Sequence, residues 1–258
     1  MSAVLEVSAL SKRFPGKRGT PEKAVLDNVS FRVDDGEFVT LIGPSGSGKT
    51  TLFHLIGGLE LPTSGDILLH GRSTVGARGH IAYMPQQASL MPWLTVSANI
   101  ELSLTIAGLG KREARGLARD WLARIGLDAA ADQYPDVLSG GMQQRVSFLR
   151  ALLSPQRLMC LDEPFSALDA LTRQHMQAWL LSLWESNRRS VLFVTHSIEE
   201  ALLLSDRILV MSAAPASIVR EVAVPFPRPR SEALWSDAAF IRLKQELYDM
   251  LRPDAARG

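Results

Sequence analysis

A single cysteine in 258 residues excludes a disulfide framework within the chain. Cys160 lies in the apolar run Leu158-Met159-Cys160-Leu161 and reads as a small buried hydrophobe kept in a reducing compartment. An excess of charge of either sign is also lacking. Lys and Arg total 28 against 27 Asp and Glu, a formal net charge of +1, which gives no support for nucleic-acid binding. No uninterrupted apolar run approaches the ~18 residues that span a bilayer, so any membrane part must be another chain. The start, Met1-Ser-Ala-Val-Leu-Glu6, lacks the basic stretch and long apolar core of a secretory signal. There is no internal repeat. A short basic run, Lys12-Arg13 to Lys17-Arg18, is expected to be a solvated loop. Hydrophobic residues make up 46 % of the chain, enough for a large core.

The most informative stretch is Gly43-Pro44-Ser45-Gly46-Ser47-Gly48-Lys49-Thr50, which fits G-x-x-x-x-G-K-[ST] at every specified position. Phe38–Ile42 before it reads as a buried strand, and Thr51–Ile56 after it as the start of a helix. Glycines at these spacings let successive backbone N–H groups turn toward phosphate oxygens. The helix start adds its own unpaired N–H groups and the positive end of its dipole. Lys49 supplies a cation for the outer phosphates, and the Thr50 hydroxyl suits Mg²⁺.

A second glycine-bearing helix start follows at Leu138-Ser139-Gly140-Gly141-Met142-Gln143-Gln144-Arg145. Ser139 is a good N-cap, and Gly140-Gly141 lets an anion approach the backbone. Leu158–Leu161 reads as a strand that ends in two acids. Asp162 at such a strand end suits Mg²⁺, and Glu163 beside it suits polarising a water. Val191–Thr195 is another buried strand and delivers His196. Taken singly, each residue has a plainer reading: the acids as a solvated turn, His196 as a helix-start residue, Gln86 as loop with Gln87 competing. Phe14 reads either as core or as a ring under a base. Their joint order favours the site.

In that order the chain resembles the ATP-binding subunits of ABC transporters. Leu138–Arg145 is similar to the family's signature, and Leu158–Glu163 to its Walker B strand. Ser166-Ala167-Leu168-Asp169 resembles the D-loop, Gln86 the Q-loop glutamine, and His196 the switch histidine. Phe14 stands where the family carries the adenine aromatic. The resemblance spans about Val4 to Met211. It implies an α/β fold: a RecA-like P-loop ATPase core with an antiparallel β subdomain and an inserted α-helical subdomain. It also implies ATP and Mg²⁺ as cofactors. Catalysis then falls to Glu163, His196 and Gln86, and metal ligation to Thr50, Gln86 and Asp162. ATP contacts fall to Phe14, to Gly43, Pro44, Ser45, Gly46, Ser47, Gly48, Lys49, Thr50 and Thr51, and to Ser139, Gly140 and Gly141. In the family, one subunit's signature faces the other's P-loop. One of each per chain implies a second ATPase subunit, in a homodimer as the symmetric solution.

The expected organisation is a nucleotide-binding core with its N-terminal β subdomain over 1–88 and 155–213. A helical signature subdomain covers 89–154, and a C-terminal linker and helix cover 214–258. In the last segment Ala239, Leu243, Leu247, Met250 and Leu251 recur at helical spacing. Leu90-Met91-Pro92-Trp93-Leu94-Thr95-Val96 is an apolar loop. In transporters of the family this region receives a coupling helix of the membrane subunit; the plainer alternative makes Trp93 a core filler. The Pro-Trp pair, Ser212–Arg220 and Pro225-Phe-Pro-Arg-Pro-Arg230 resemble the importer group for nitrate, sulfonates, taurine and pyrimidine precursors of thiamine. Tyr83–Gln86 and Ala170–Trp179 lean toward the pyrimidine branch. Gln143 and His54 depart from that group, each standing where an arginine is usual. The implied partners are a polytopic permease and, through it, a solute-binding protein, at the cytoplasmic face of a bacterial inner membrane. A stand-alone regulatory ATPase is the alternative. A chromosome-maintenance ATPase would need a long heptad insertion that does not fit between Gln86 and Leu138.

Overall fold

The computed structural model describes residues 3–16 and 21–252. The chain opens with two long strands, β1 (Ala3–Phe14) and β2 (Lys23–Asp34), then enters the core through β3 (Phe38–Ile42) and α1 (Lys49–Ile56). It continues through β4 (Ser64–Leu69), β5 (Arg72–Ser73) and β6 (Ala82–Met84) to three helices, α2 (Val96–Ile106), α3 (Lys111–Arg124) and α4 (Gly140–Leu152). It returns by β7 (Leu158–Asp162), α5 (Ala170–Asn187), β8 (Ser190–Val194), α6 (Ile198–Leu204), β9 (Arg207–Met211) and β10 (Ile218–Ala223), and ends in α7 (Ala238–Leu251).

Two sheets result. A four-stranded sheet runs β2-β1-β4-β5 with antiparallel pairing. A six-stranded sheet runs β10-β9-β3-β8-β7-β6 and is parallel from β9 to β6. All five residues of β3, β7 and β8 are buried. Such mainly apolar, fully buried runs are what a strand covered on both faces requires. The carboxyl ends of β3 and β7 lie next to one another across β8, and there the loops carrying the candidate residues leave the sheet. Helices α2, α3 and α4 have their own core, with Val96, Ile100, Ala118, Leu122, Val146 and Leu149 buried together.

Two expectations are corrected. Residues 218–223 are not linker: β10 pairs antiparallel with β9, Ile218 opposite Met211 and Ala223 opposite Arg207. Beyond β10, Arg228 donates to Asp206 and to the Leu204 carbonyl, and the buried Arg230 donates to the Phe226 and Leu202 carbonyls. The proline-arginine segment is therefore a strap bonded to the α6–β9 corner rather than a stiff linker standing clear of it. Lys12 is not solvated either. It is buried, its Nζ 3.0 Å from Glu60 Oε2, 2.7 Å from the Leu61 carbonyl and 4.6 Å from the centroid of the Phe14 ring. Lys17 and Arg18 of the same run lie outside the described residues. Helix α7 packs Phe240 and Leu247 against Ile198, Ala201 and Leu202.

Candidate functional site

The loop from Gly43 to Gly48 joins β3 to α1 and has a shape that its glycines permit. Gly46 and Gly48 have φ of 77° and 90°, in the left-handed region that other residues enter at a cost. Gly48 is also sterically confined, since a Cβ there would lie 2.6 Å from Val25 Cγ1. Lys49 turns back over the loop, its Nζ 2.9 Å from the carbonyls of both Gly43 and Pro44. It is buried, and that burial pulls its pKa below the usual lysine value, with the Glu163 and Asp162 carboxylates opposing the shift. An amine partly stripped of water and aimed by loop carbonyls is well prepared for an anion.

Asp162 closes β7 directly across from α1. Thr50 Oγ1 donates to Asp162 Oδ2 at 2.8 Å. Asp162 Oδ1 is buried and finds no hydrogen-bond partner among the described residues. Burial pushes the carboxyl pKa up, against the Thr50 hydrogen bond that lowers it, and the neighbouring Glu163 raises it further. A buried oxygen left without a donor is costly, and a hard cation is the partner that this hydroxyl–carboxylate pair suits.

Glu163, the next residue, has φ 48° although it is not glycine. Its N–H bonds the Val194 carbonyl at 2.9 Å, and the turn swings its side chain over the loop. There Gln86 Nε2 donates to Oε2 at 2.9 Å, and His196 Nε2 meets Oε1. Gln86 and His196 are exposed while the Glu163 side chain is largely covered. Two side chains from two separate loops thus converge on the carboxylate that a third loop presents.

A cleft of about 560 Å³ brings together Ser45, Gly46, Gly48, Lys49, Thr50 and Thr51 with Phe14, Gln86, Glu163 and His196. Lys23 and Val25 of β2 also line it; neither stands out in the sequence, because nothing in a strand pattern marks which residues will face the loop. Ser139, Gly140 and Gly141 are not there. They sit in a second, smaller cleft with Ala167, Leu168 and Asp169. Ser139 Oγ caps α4, accepting from Met142 N at 3.3 Å. The two phosphate-type helix starts of one chain therefore do not face a common space.

The loop between β6 and α2 is held by Asn99, buried in α2. Its Nδ2 donates to the carbonyls of Met91, Leu94 and Thr95, and its Oδ1 accepts from Met91 N at 2.8 Å. This clamp leaves Trp93 70 % exposed, so Trp93 fills no core. No helix among the described residues is long and apolar enough to cross a membrane.

Comparison with known proteins gives a consistent picture. A family model described as ABC transporter matches residues 26–166. The formylaminopyrimidine import ATP-binding protein ThiZ of Halalkalibacterium halodurans is 49 % identical over 201 residues, 78 % of each chain. The aliphatic sulfonates import ATP-binding protein SsuB of Bacillus cereus is 40 % identical over 228 residues, 88 % of this chain and 89 % of that one. Among solved structures, a dimeric post-hydrolysis state of the ATP-binding cassette MJ0796 bound to ADP and Pi aligns with a TM-score of 0.77 at 31 % identity. That alignment covers 86 % of this chain and 100 % of that one.

Proposed function

The chain belongs to the ABC transporter family and is an ATPase that powers import, and from that premise we propose where its ATP is held, how its residues act and what is moved. ATP lies between two copies of the chain, with the P-loop of one opposite Ser139–Gly141 of the other. The observation that carries this reading is the separation of the two helix starts into different clefts, each presenting only part of a nucleotide site.

Within the P-loop cleft, backbone N–H groups from Ser45 to Thr51 and the Lys49 ammonium hold the phosphates. Phe14 offers a ring face to the base. Thr50, Asp162 and the Gln86 side-chain carbonyl oxygen are the residues that would hold Mg²⁺, and the buried, unpartnered Asp162 Oδ1 fits that role. When bound, the cation neutralises charge on the outer phosphates. Glu163 orients a water and accepts its proton, since its carboxylate is already steered by Gln86 and His196. His196 and Gln86 hold that carboxylate in register, so a change at the outer phosphate reaches both loops.

The ATPase works beneath a separate polytopic permease, as a peripheral subunit on the cytoplasmic face of a bacterial inner membrane, with a solute-binding protein reached through the permease. Trp93 and its loop dock a helix of that permease. The solute is a pyrimidine-type thiamine precursor, with an aliphatic sulfonate as second choice, following the two relatives named above. The test is reconstitution with the permease and solute-binding protein that it assembles with, followed by ATP-dependent uptake. Uptake of a formylaminopyrimidine supports the first choice. Sulfonate uptake supports the second, and hydrolysis that no solute stimulates in any such complex rejects the import reading.

A further inference from the structure

Gln144 lies in the second turn of α4, one turn beyond Ser139–Gly141, and is only 2 % exposed. Its side chain reaches out of its own helix. Nε2 donates to the Glu163 main-chain carbonyl at 3.2 Å and to Ser166 Oγ at 3.3 Å, and Oε1 accepts from Ala167 N at 3.0 Å. The Glu163 carbonyl also receives Ser166 N at 3.2 Å and Ser166 Oγ at 3.0 Å. Three of these bonds meet on the carbonyl of the left-handed Glu163, and the other two tie Gln144 to Ser166 and Ala167 of the turn that follows it. A backbone conformation of this kind persists only where its surroundings over-determine it, and among the described residues the Gln144 amide is the side-chain donor from α4 that takes part.

We infer that Gln144 is a positioning residue that ties the start of α4 to the peptide of Glu163, so that a movement of Ser139–Gly141 is passed to the carboxylate. This rests on the two-chain reading above. In that arrangement Ser139–Gly141 of one chain touch one ATP, while Glu163 of the same chain works on the other. Gln144 then links the two ATPs through a buried amide. It touches neither nucleotide and acts only through Glu163 and the Ser166–Ala167 peptide.

The test uses the full chain with two variants. Gln144→Leu removes every bond at similar size. Gln144→Glu keeps the side-chain length and the acceptor for Ala167 N–H, and loses the donor toward the Glu163 carbonyl; it serves if the leucine variant folds poorly. The expected result for either is a kcat lower by roughly tenfold or more, the scale of a small misplacement of a reacting group. KM for ATP should stay within about twofold, and the Hill coefficient of hydrolysis should fall toward about 1. Combining Gln144→Leu with Ser166→Ala should cost less than the product of the single losses, because both act on one carbonyl. A purely structural role would lower the melting temperature and raise KM with kcat unchanged, and either variant with wild-type kcat and Hill coefficient overturns the inference. ATP-driven dimerisation of the parent and of both variants separates the two levels. Dimers with normal kcat remove Gln144 from this role and leave the two-chain reading standing, whereas a parent that never dimerises removes the reading itself.

Discussion

Glu163 is held in a left-handed backbone conformation, and its carboxylate is shared between Gln86 and His196. Glu163→Gln keeps the shape and removes the proposed proton acceptor, so turnover should fall by ~10²–10⁴-fold while ATP still binds. Single-turnover hydrolysis alongside calorimetric binding checks both halves. Lys49 is the cation that the loop itself aims, and Lys49→Ala should weaken ATP binding by about 1.5–3 kcal/mol, measured by calorimetry. Asp162 illustrates the tension between stability and function. The folded protein holds its proton more tightly than the unfolded chain, because burial raises the carboxyl pKa. Stability from this group is therefore present at acid pH and is lost as pH rises toward the raised folded value, so at neutral pH the ion is a net cost. Asp162→Asn should melt higher by about 2–4 °C for each kcal/mol relieved, and should lose hydrolysis. An unchanged or lower melting temperature would contradict that account. Most of these residues were legible in the sequence, because each lies at a required spacing within a short motif or at the end of an apolar strand. Lys23 and the bonding of Gln144 were not. Their partners are brought close only by the fold, and Gln144 finds Glu163 and Ala167 across 19 and 23 residues of chain.

Between the residue and the molecule stands the β6–α2 loop. Asn99 spends its whole amide on that loop, and the result is a large aromatic ring in solvent. Trp93→Ala should leave melting temperature and basal ATPase nearly unchanged, since the ring supports no core. Association with the membrane subunit should weaken by about 2 kcal/mol, roughly thirty-fold, as for an aromatic anchor. Thermal melts and complex assembly are read together, and a destabilised variant that assembles normally would send the docking surface elsewhere. Element by element, the parallel strands were the easiest to read, because β3, β7 and β8 are buried at every position. Strand β10 was missed for the opposite reason. It is an edge strand with Val219, Arg220 and Glu221 exposed, and charge along an edge blunts the apolar signal while guarding against further pairing. The strap after it was misread because proline-rich composition suggests a spacer, whereas Arg228 and Arg230 bond it to the α6–β9 corner.

For the whole molecule, the central claim is that one chain presents half of each nucleotide site. The P-loop cleft contains Lys49, Thr50 and Glu163, and the cleft at Ser139–Gly141 contains no residue of the P-loop. A two-fold pair brings each half to the other's complement. The D-loop start of α5 lines the second cleft, and Leu171 beside it is 69 % exposed, which suits a surface that another copy covers. The most direct measurement is size-exclusion chromatography of the Glu163→Gln protein with and without ATP, repeated with Ser139→Arg added. The account predicts an ATP-dependent dimer for Glu163→Gln alone. Adding Ser139→Arg should give a monomer with ATP binding to the single chain retained, because a bulky cation at the cap of α4 holds the faces apart. A dimer that survives Ser139→Arg, or a Glu163→Gln protein that stays monomeric at saturating ATP, would contradict the shared site.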